Sequence, residues 1–335
     1  MVRPVTFQAE TRTGAGPASR LALNVLGAPA RGQGAILRED SVRALLRTAA
    51  DGGVGLVATR PVSDVERLLG QCWPFPSPFR VTVRTVSTAE GLDRVEARAR
   101  RSLERMGLPR GEAVMVSSAC DLAGADGRAL WDRLERLKDL GLFRRIGVCA
   151  RVEDGPELLA RRFRPDVVEL PCNLLDQRAA TSGLIAGLAE HGSAVHLRSV
   201  FAGGVLFAAR EDLPVHLVQS GSGVSRARRS LAENRADPMQ AALAYALNLP
   251  GVESVVAGVA SAAELRAVLA AAHAPMPDLD WSALALDDPA TLSAAGPAAV
   301  SSAACPPHCR CAPARRSPAV ADSARRPGSR PARSG

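Results

Sequence analysis

Short apolar runs alternate along this chain with longer stretches whose apolar residues recur at helical spacing. Eight of the short runs are predicted strands, and most of them are followed by a helical pattern. They cover residues 21–26, 55–58, 79–84, 113–117, 145–149, 166–170, 194–198 and 254–257. The alternation predicts repeated strand–helix units, as in an α/β protein.

The predicted helices each present one apolar face, with residues three or four positions apart. The faces are Val42, Leu45, Leu46 and Ala49 in the first helix, Leu130, Leu134 and Leu137 in a later one, and Leu265, Val268, Leu269 and Ala272 in the last. Gly141 is suited to end the second of these, because glycine readily adopts the left-handed conformation. Ser261 followed by Glu264 is typical of a capping box, which predicts the start of the last helix.

The strands are apolar almost throughout, which indicates burial on both faces and therefore a parallel sheet. Eight such strands favour closure into a (β/α)8 TIM barrel. A doubly wound open sheet is the alternative, but no GxGxxG run follows the first strand, and that counts against it.

The regular pattern does not extend over the whole chain. We predict an N-terminal extension over residues 1–20, a barrel over 21–293, and a disordered tail over 294–335. The tail is rich in Pro, Arg, Ala and Ser, a composition that cannot bury enough apolar surface to fold. Its Cys305, His308, Cys309 and Cys311 do not match the usual spacing of a zinc site, so we predict no metal.

The charge of the chain is concentrated in its tail. The formal net charge is +8, and residues from Gly296 onward carry +6 of it, which leaves +2 for the rest. A nearly balanced body makes nucleic acid an improbable partner. The sequence contains no apolar run long enough to span a membrane and no signal segment at its start. The seven cysteines suit reduced thiols, so we expect a cytoplasmic protein.

Four stretches in the right order resemble bacterial aldo/keto reductases. They are ALWDRLERLKDLGLFRRIGV (129–148), RPDVVELPCNLLDQR (164–178), VHLRSVFAGGVLF (195–207) and GVESVVAGVASAAELRAVL (251–269). The resemblance extends from about Leu21 to Leu292. It implies a (β/α)8 barrel that reduces carbonyl compounds with NADPH.

The resemblance also implies a catalytic centre of four residues. In the family a Tyr is the general acid, a Lys held by an Asp lowers the pKa of that Tyr, and a His polarises the carbonyl. At these positions the chain has Ala58 for Asp, Ser63 or a gap for Tyr, Arg84 for Lys and Ser117 for His. A serine hydroxyl is too weak an acid, and an arginine does not release its proton. We therefore expect the family's catalysis to be lost.

The cofactor positions implied by the resemblance are only partly retained. The residues that grip the nicotinamide amide are replaced by Cys149, Ala150 and Glu169, and the pair that meets adenine is replaced by Ala267 and Val268. Phosphate-binding loops remain, and Arg266 could meet a 2′-phosphate. The candidate loop residues are Ser199, Phe201, Gly203, Gly258 and Ser261, with Gly258 and Ser261 expected to open a helix whose N–H groups hold an anion. Binding of NADP(H) stays open.

Two questions remain open from the sequence. Arg84 could neutralise an anionic ligand in the barrel mouth, be a solvated residue at the strand end, or pair with Glu169 or another carboxylate. The chain itself could be a catalytically inactive family homologue that binds a nucleotide or small anion, a working NADPH-dependent oxidoreductase with non-standard residues, or a scaffold for a protein partner that the sequence does not identify.

Overall fold

The computed structural model of the protein describes residues 16–25, 38–208, 220–289 and 292. All of the predicted tail and residues 1–15 of the predicted N-terminal extension lie outside the described residues. The described part of the extension forms a short 3-10 helix, Pro17–Arg20, whose Arg20 guanidinium donates to the carbonyls of Leu247 and Val252. Packing against the barrel therefore begins before Leu21.

Eight strands form within the described residues, one at each predicted position. Their bounds are β1 Leu21–Val25, β2 Leu56–Thr59, β3 Arg80–Arg84, β4 Gly111–Val116, β5 Phe143–Cys149, β6 Val167–Pro171, β7 Ala194–Arg198 and β8 Val252–Val259. Each differs from its predicted range by at most a few residues at either end.

Helices follow the strands and surround them. Their bounds are α1 Glu39–Asp51, α2 Ser63–Cys72, α3 Leu92–Met106, α4 Ala119–Ala123, α5 Gly127–Asp139, α6 Pro156–Phe163, α7 Arg178–Thr181, α8 Leu184–Glu190, α9 Gly221–Glu233, α10 Pro238–Asn248 and α11 Ala262–His273. In the part of the chain that the structure describes, no helix has both the length and the apolar character needed to cross a membrane.

The strands form one closed parallel barrel in chain order, β1 to β8, and β8 pairs with β1 through five residues. This confirms the predicted (β/α)8 barrel and excludes the open sheet. In a parallel barrel the C-terminal ends of all strands lie at the same face, so side chains that are distant in sequence meet there.

The predicted helical faces are confirmed. All residues of the α1 and α5 faces are buried, and Gly141 has a φ of 73° directly after the end of α5. At α11 the Ser261 hydroxyl accepts from the Glu264 N–H, as predicted, but the Glu264 carboxylate accepts from the N–H of Ala260. The carboxylate thus bonds the residue before the cap in place of the cap residue itself, so one half of the predicted capping box is shifted by one residue.

Small residues line much of the barrel interior. One buried apolar group consists of Ala22, Leu56, Ala58 and Val256, and another of Ala113, Met115, Cys149 and Val167. Gly147 lies in β5, between β4 and β6. The Met115 side chain of β4 fills the space that a side chain at Gly147 would need. Interior volume is thus filled by side chains from neighbouring strands, as in other closed barrels.

Substituting Gly147→Ala is expected to lower the free energy of unfolding by about 1–3 kcal/mol, because a Cβ there would overlap Met115 and lie 2.8 Å from the Val167 carbonyl oxygen. Gly55→Ala is the matched control, since a Cβ there meets nothing within 4 Å. It is expected to change stability by less than about 0.5 kcal/mol. Urea unfolding of both variants measures this, and equal midpoints would contradict the proposed packing.

Candidate functional site

The C-terminal face of the barrel collects most of the site residues that the sequence singles out. Ala58 lies near the end of β2, Arg84 is the last residue of β3, and Ser117 follows β4 directly. Ser63 is the first residue of α2, and its side chain lies outside the described part of the chain. The structure thus brings Ala58, Arg84 and Ser117 to one face, where barrel enzymes carry their active sites.

Neither Ala58 nor Ser117 offers an available acid at this face. Ala58 is buried against Ala22, Leu56 and Val256, so its surroundings are apolar. The Ser117 hydroxyl donates to the Thr85 carbonyl, and the Ser117 N–H donates to Thr85 Oγ1 at 3.2 Å. Ser117 therefore ties the end of β4 to the end of β3.

Arg84 forms an ion pair with Glu169 of β6 across the barrel mouth. Both side chains are largely removed from solvent, with exposed fractions of 15% and 3%. The Cys149 sulfur and the Glu169 carboxylate raise the pKa of Arg84 above its usual value, so the guanidinium stays charged. The predicted pairing of Arg84 with a carboxylate is confirmed, and Glu169 is the partner.

Cys149, at the end of β5, lies beside this pair. Its thiol is buried and donates to Glu169 Oε1 at 3.8 Å. Burial raises the pKa of Cys149 to about 11, so the sulfur carries a proton near neutral pH. A protonated, buried thiol is a poor nucleophile, and Cys149 acts as a small packing residue.

Two further arginines lie at the same face and were not identified from the sequence. Arg198 is the last residue of β7, and its Nε lies 3.6 Å from Glu169 Oε1. Arg60 follows β2 directly and is exposed. The pairing of Thr59 with Val83 sets Arg60 beside Arg84 at the ends of β2 and β3. Burial and repulsion from Arg84 lower the pKa of Arg60. We call Arg60, Arg84 and Arg198, gathered around Glu169, the arginine cluster.

The loop predicted to cradle a phosphate, residues 199–204, is tightly turned. Ser199, Ala202, Gly203 and Gly204 all have positive φ. The Ala202 N–H donates to the Ser199 carbonyl at 2.8 Å, and the Gly204 N–H donates to the Phe201 carbonyl at 2.9 Å. These two backbone donors close turns within the loop and are therefore not directed at a ligand.

The structure corrects the prediction that Gly258 and Ser261 together open a phosphate-binding helix. Gly258 lies within β8, opposite Asn24 of β1, and does not open the helix, because β8 extends to Val259. Ser261 caps α11 as predicted, but the Glu264 carboxylate already occupies that helix end. A carboxylate there satisfies free N–H groups and repels a second anion. Arg266 is exposed on α11.

No described aromatic hydroxyl or imidazole reaches the arginine cluster. Tyr245 is completely buried on α10, with its ring 5.9 Å from that of Trp281. Burial raises the pKa of Tyr245 well above its usual value. His196 lies inside the barrel and hydrogen-bonds with Glu253 Oε1 at 3.1 Å, toward the N-terminal face. His216 and His308 lie outside the described residues.

A cavity of about 240 Å³ lies at the N-terminal face, opposite the arginine cluster. Its polar lining consists of Ser19, Arg80, Thr82, Glu112, Arg145, His196, Glu253 and Ser254. Arg145 donates to Glu253 at 2.6 Å and lies 3.6 Å from Glu112, which also pairs with Arg80 at 3.4 Å. Acidic and arginine side chains are equal in number here.

Among all the described residues, no three His, Cys, Asp or Glu side chains group as a metal site.

Comparisons with known proteins agree with this architecture. The model of the aldo/keto reductase family matches residues 78–285, more than half of the chain. The holo form of aldo-keto reductase AKR11C1 from Bacillus halodurans is similar with a TM-score of 0.63 and 17% identity, over 85% of this chain and 94% of that one. Its apo form gives 0.59 and 20% identity, over 79% and 90%. A comparison with curated proteins gives no match.

Glu253 gives the N-terminal network a testable pH dependence. Hydrogen bonds from His196 and Arg145 lower the pKa of Glu253 to about 2. The pKa of a glutamate in the unfolded chain is about 4.3. At pH values above this, the charged Glu253 carboxylate stabilises the folded state. This stabilisation is lost as the pH falls toward 2 and the carboxylate becomes protonated.

We expect Glu253→Gln to be less stable than the parent by about 0.5–1 kcal/mol at pH 7, because the half-exposed pair is screened by solvent. The difference should shrink steadily below about pH 4.5. Urea unfolding of both proteins at a series of pH values measures it. A stability difference that does not change with pH would show that the charge of the Glu253 carboxylate does not stabilise the fold.

Proposed function

Because the chain belongs to the aldo/keto reductase family, we propose that it is a non-catalytic member, whose barrel mouth carries an ion-paired cluster in place of the proton-donating centre. The family match begins at residue 78, after Ala58 and Ser63. The positions to which the resemblance assigns the catalytic Asp and Tyr thus lie outside the matched residues.

The observation that carries this proposal is the commitment of Arg84 to Glu169 at the centre of the mouth. Reduction of a carbonyl needs a proton delivered to the carbonyl oxygen from a group within hydrogen-bond reach. A guanidinium held by a buried carboxylate retains its proton at any working pH. Arg84 can therefore orient or neutralise a ligand, but it cannot serve as a general acid or lower the pKa of one by losing charge.

The other described groups at the mouth support the same proposal. The Ser117 hydroxyl donates its hydrogen bond to the Thr85 carbonyl, and the Cys149 thiol donates to Glu169. Tyr245 is buried on α10, with its ring beside that of Trp281. A bound carbonyl would therefore have to compete with an existing contact for the proton of Ser117 or Cys149.

The residues at the mouth do not fit the nicotinamide end of NADP(H). The position that the resemblance assigns to an amide-binding glutamine is Glu169, whose carboxylate accepts hydrogen bonds and cannot donate to a carboxamide oxygen. Glu169 is buried and already contacts Arg84 and Arg198. Three guanidiniums would also repel the positively charged nicotinamide of the oxidised cofactor.

The test is an assay for NADPH consumption with aliphatic and aromatic aldehydes. We expect the purified chain to consume NADPH no faster than the buffer does, because no described group can protonate the carbonyl. A reductase with an intact catalytic Tyr, run in the same mixture, verifies the assay. Any aldehyde-dependent rate above the buffer rate, abolished when Arg84→Met is introduced, would favour the alternative of a working oxidoreductase with non-standard residues.

A further inference from the structure

The arginine cluster is not electrically balanced. It holds three guanidiniums, Arg60, Arg84 and Arg198, and one carboxylate, Glu169. Glu169 contacts Arg84 and Arg198, while the Arg60 guanidinium makes no ion pair or hydrogen bond within residues 16–25, 38–208, 220–289 and 292. The cluster thus carries a formal charge of +2 at a face that is partly shielded from solvent.

Nearby charges do not remove this excess. Arg151 and Asp154, on the loop after β5, both interact electrostatically with Arg198. They have opposite signs, and the Asp154 carboxylate accepts from the Arg151 N–H at 2.7 Å. Because their charges cancel, the +2 remains.

Arg198 also has an unsatisfied donor. Its Nε is buried and makes no hydrogen bond to the described residues, since Glu169 Oε1 lies at 3.6 Å, beyond a good hydrogen bond. One terminal nitrogen donates weakly to the Ala150 carbonyl at 3.4 Å. Leaving a buried charged donor unpaired is costly, so an acceptor supplied by a ligand would stabilise this arrangement.

The cluster can be reached from solvent. Arg60 is exposed, and the Arg198 side chain keeps 26% of its surface exposed, whereas Glu169 below them is buried. A ligand arriving at the mouth would meet Arg60 and Arg198 first. The Arg84–Glu169 pair lies further into the barrel.

We propose that the arginine cluster is a binding site for a small dianion, a phosphate monoester or a dicarboxylate. A guanidinium presents paired N–H donors that match the oxygens of both groups. The two negative charges of such a ligand neutralise the +2 charge of the arginine cluster. The proposal rests on the proposed function in one respect, because the ligand takes the space in which a reductase would hold its carbonyl substrate.

Isothermal titration of the full chain with inorganic phosphate, malonate and acetate, at constant ionic strength, tests the charge requirement. We expect at least one dianion to bind about tenfold or more tightly than acetate, because the second charge interacts with a second guanidinium. Tighter binding of phosphate indicates a phosphate monoester as the ligand, and tighter binding of malonate indicates a dicarboxylate. Either result supports the site, and failure of both dianions to bind overturns it.

Two matched arginine variants locate the site. Arg60→Gln should weaken binding of the dianion about tenfold or more, because it removes a charge-assisted contact. Arg136→Gln, which removes an exposed arginine on α5, should leave binding unchanged. Equal effects of the two variants, or a larger effect at Arg136, would place the anion elsewhere and overturn the proposal.

A third variant is expected to raise the affinity for the dianion, whereas Arg60→Gln lowers it. Glu169→Gln removes the carboxylate that contacts Arg84 and Arg198, so affinity for the dianion should rise several-fold. The stabilisation by phosphate in thermal unfolding should rise with it, which also verifies that the variant folds. Unchanged or weaker binding would contradict the proposed geometry.

The outcomes separate this inference from the proposed function. A chain that reduces no aldehyde and binds no dianion contradicts the inference alone. A chain that binds the dianion through Arg60 and also reduces aldehydes contradicts only the proposed loss of catalysis.

Discussion

A carboxylate buried inside a closed barrel has to be paired, and this requirement at Glu169 organises the mouth of the molecule. The Glu169 side chain is only 3% exposed, so its negative charge would be very costly alone. Closure of the barrel brings the ends of β3 and β7 to within reach of β6. Arg84 and Arg198 come from those two strands, and both contact Glu169. The fold thus supplies what the buried charge needs.

The same pairing limits the chemistry available to this face. Groups that could transfer a proton are engaged with one another or with the backbone: Arg84 with Glu169, Ser117 with Thr85, and Cys149 with Glu169. The arginine cluster has three guanidiniums for the Glu169 carboxylate, so the mouth is positively charged. A positively charged surface favours recognition of an anion, whereas acid catalysis needs a donor that can release its proton to the substrate.

The sequence was sufficient for the fold because each strand is a separate apolar run, and burial on both faces leaves such a run few alternatives. It also offered pairing of Arg84 with Glu169 as one of several alternatives, since both lie at or near predicted strand ends. It did not identify Arg198 or Arg60, although each ends or follows a predicted strand, because their contact with Glu169 depends on strand register. Gly258 was misplaced because β8 continues beyond its apolar run.

The two ends of the barrel differ in how their arginines are balanced. At the N-terminal face Arg80 and Arg145 each pair with an acidic residue, Glu112 or Glu253, and the charges there are equal in number. At the C-terminal face Arg84 and Arg198 both contact Glu169, and Arg60 has no carboxylate partner among the described residues. Selection for stability alone would favour balance at both ends, since an unpaired charge destabilises a fold. An excess confined to the face where barrels carry their sites therefore indicates a ligand that supplies the missing negative charge.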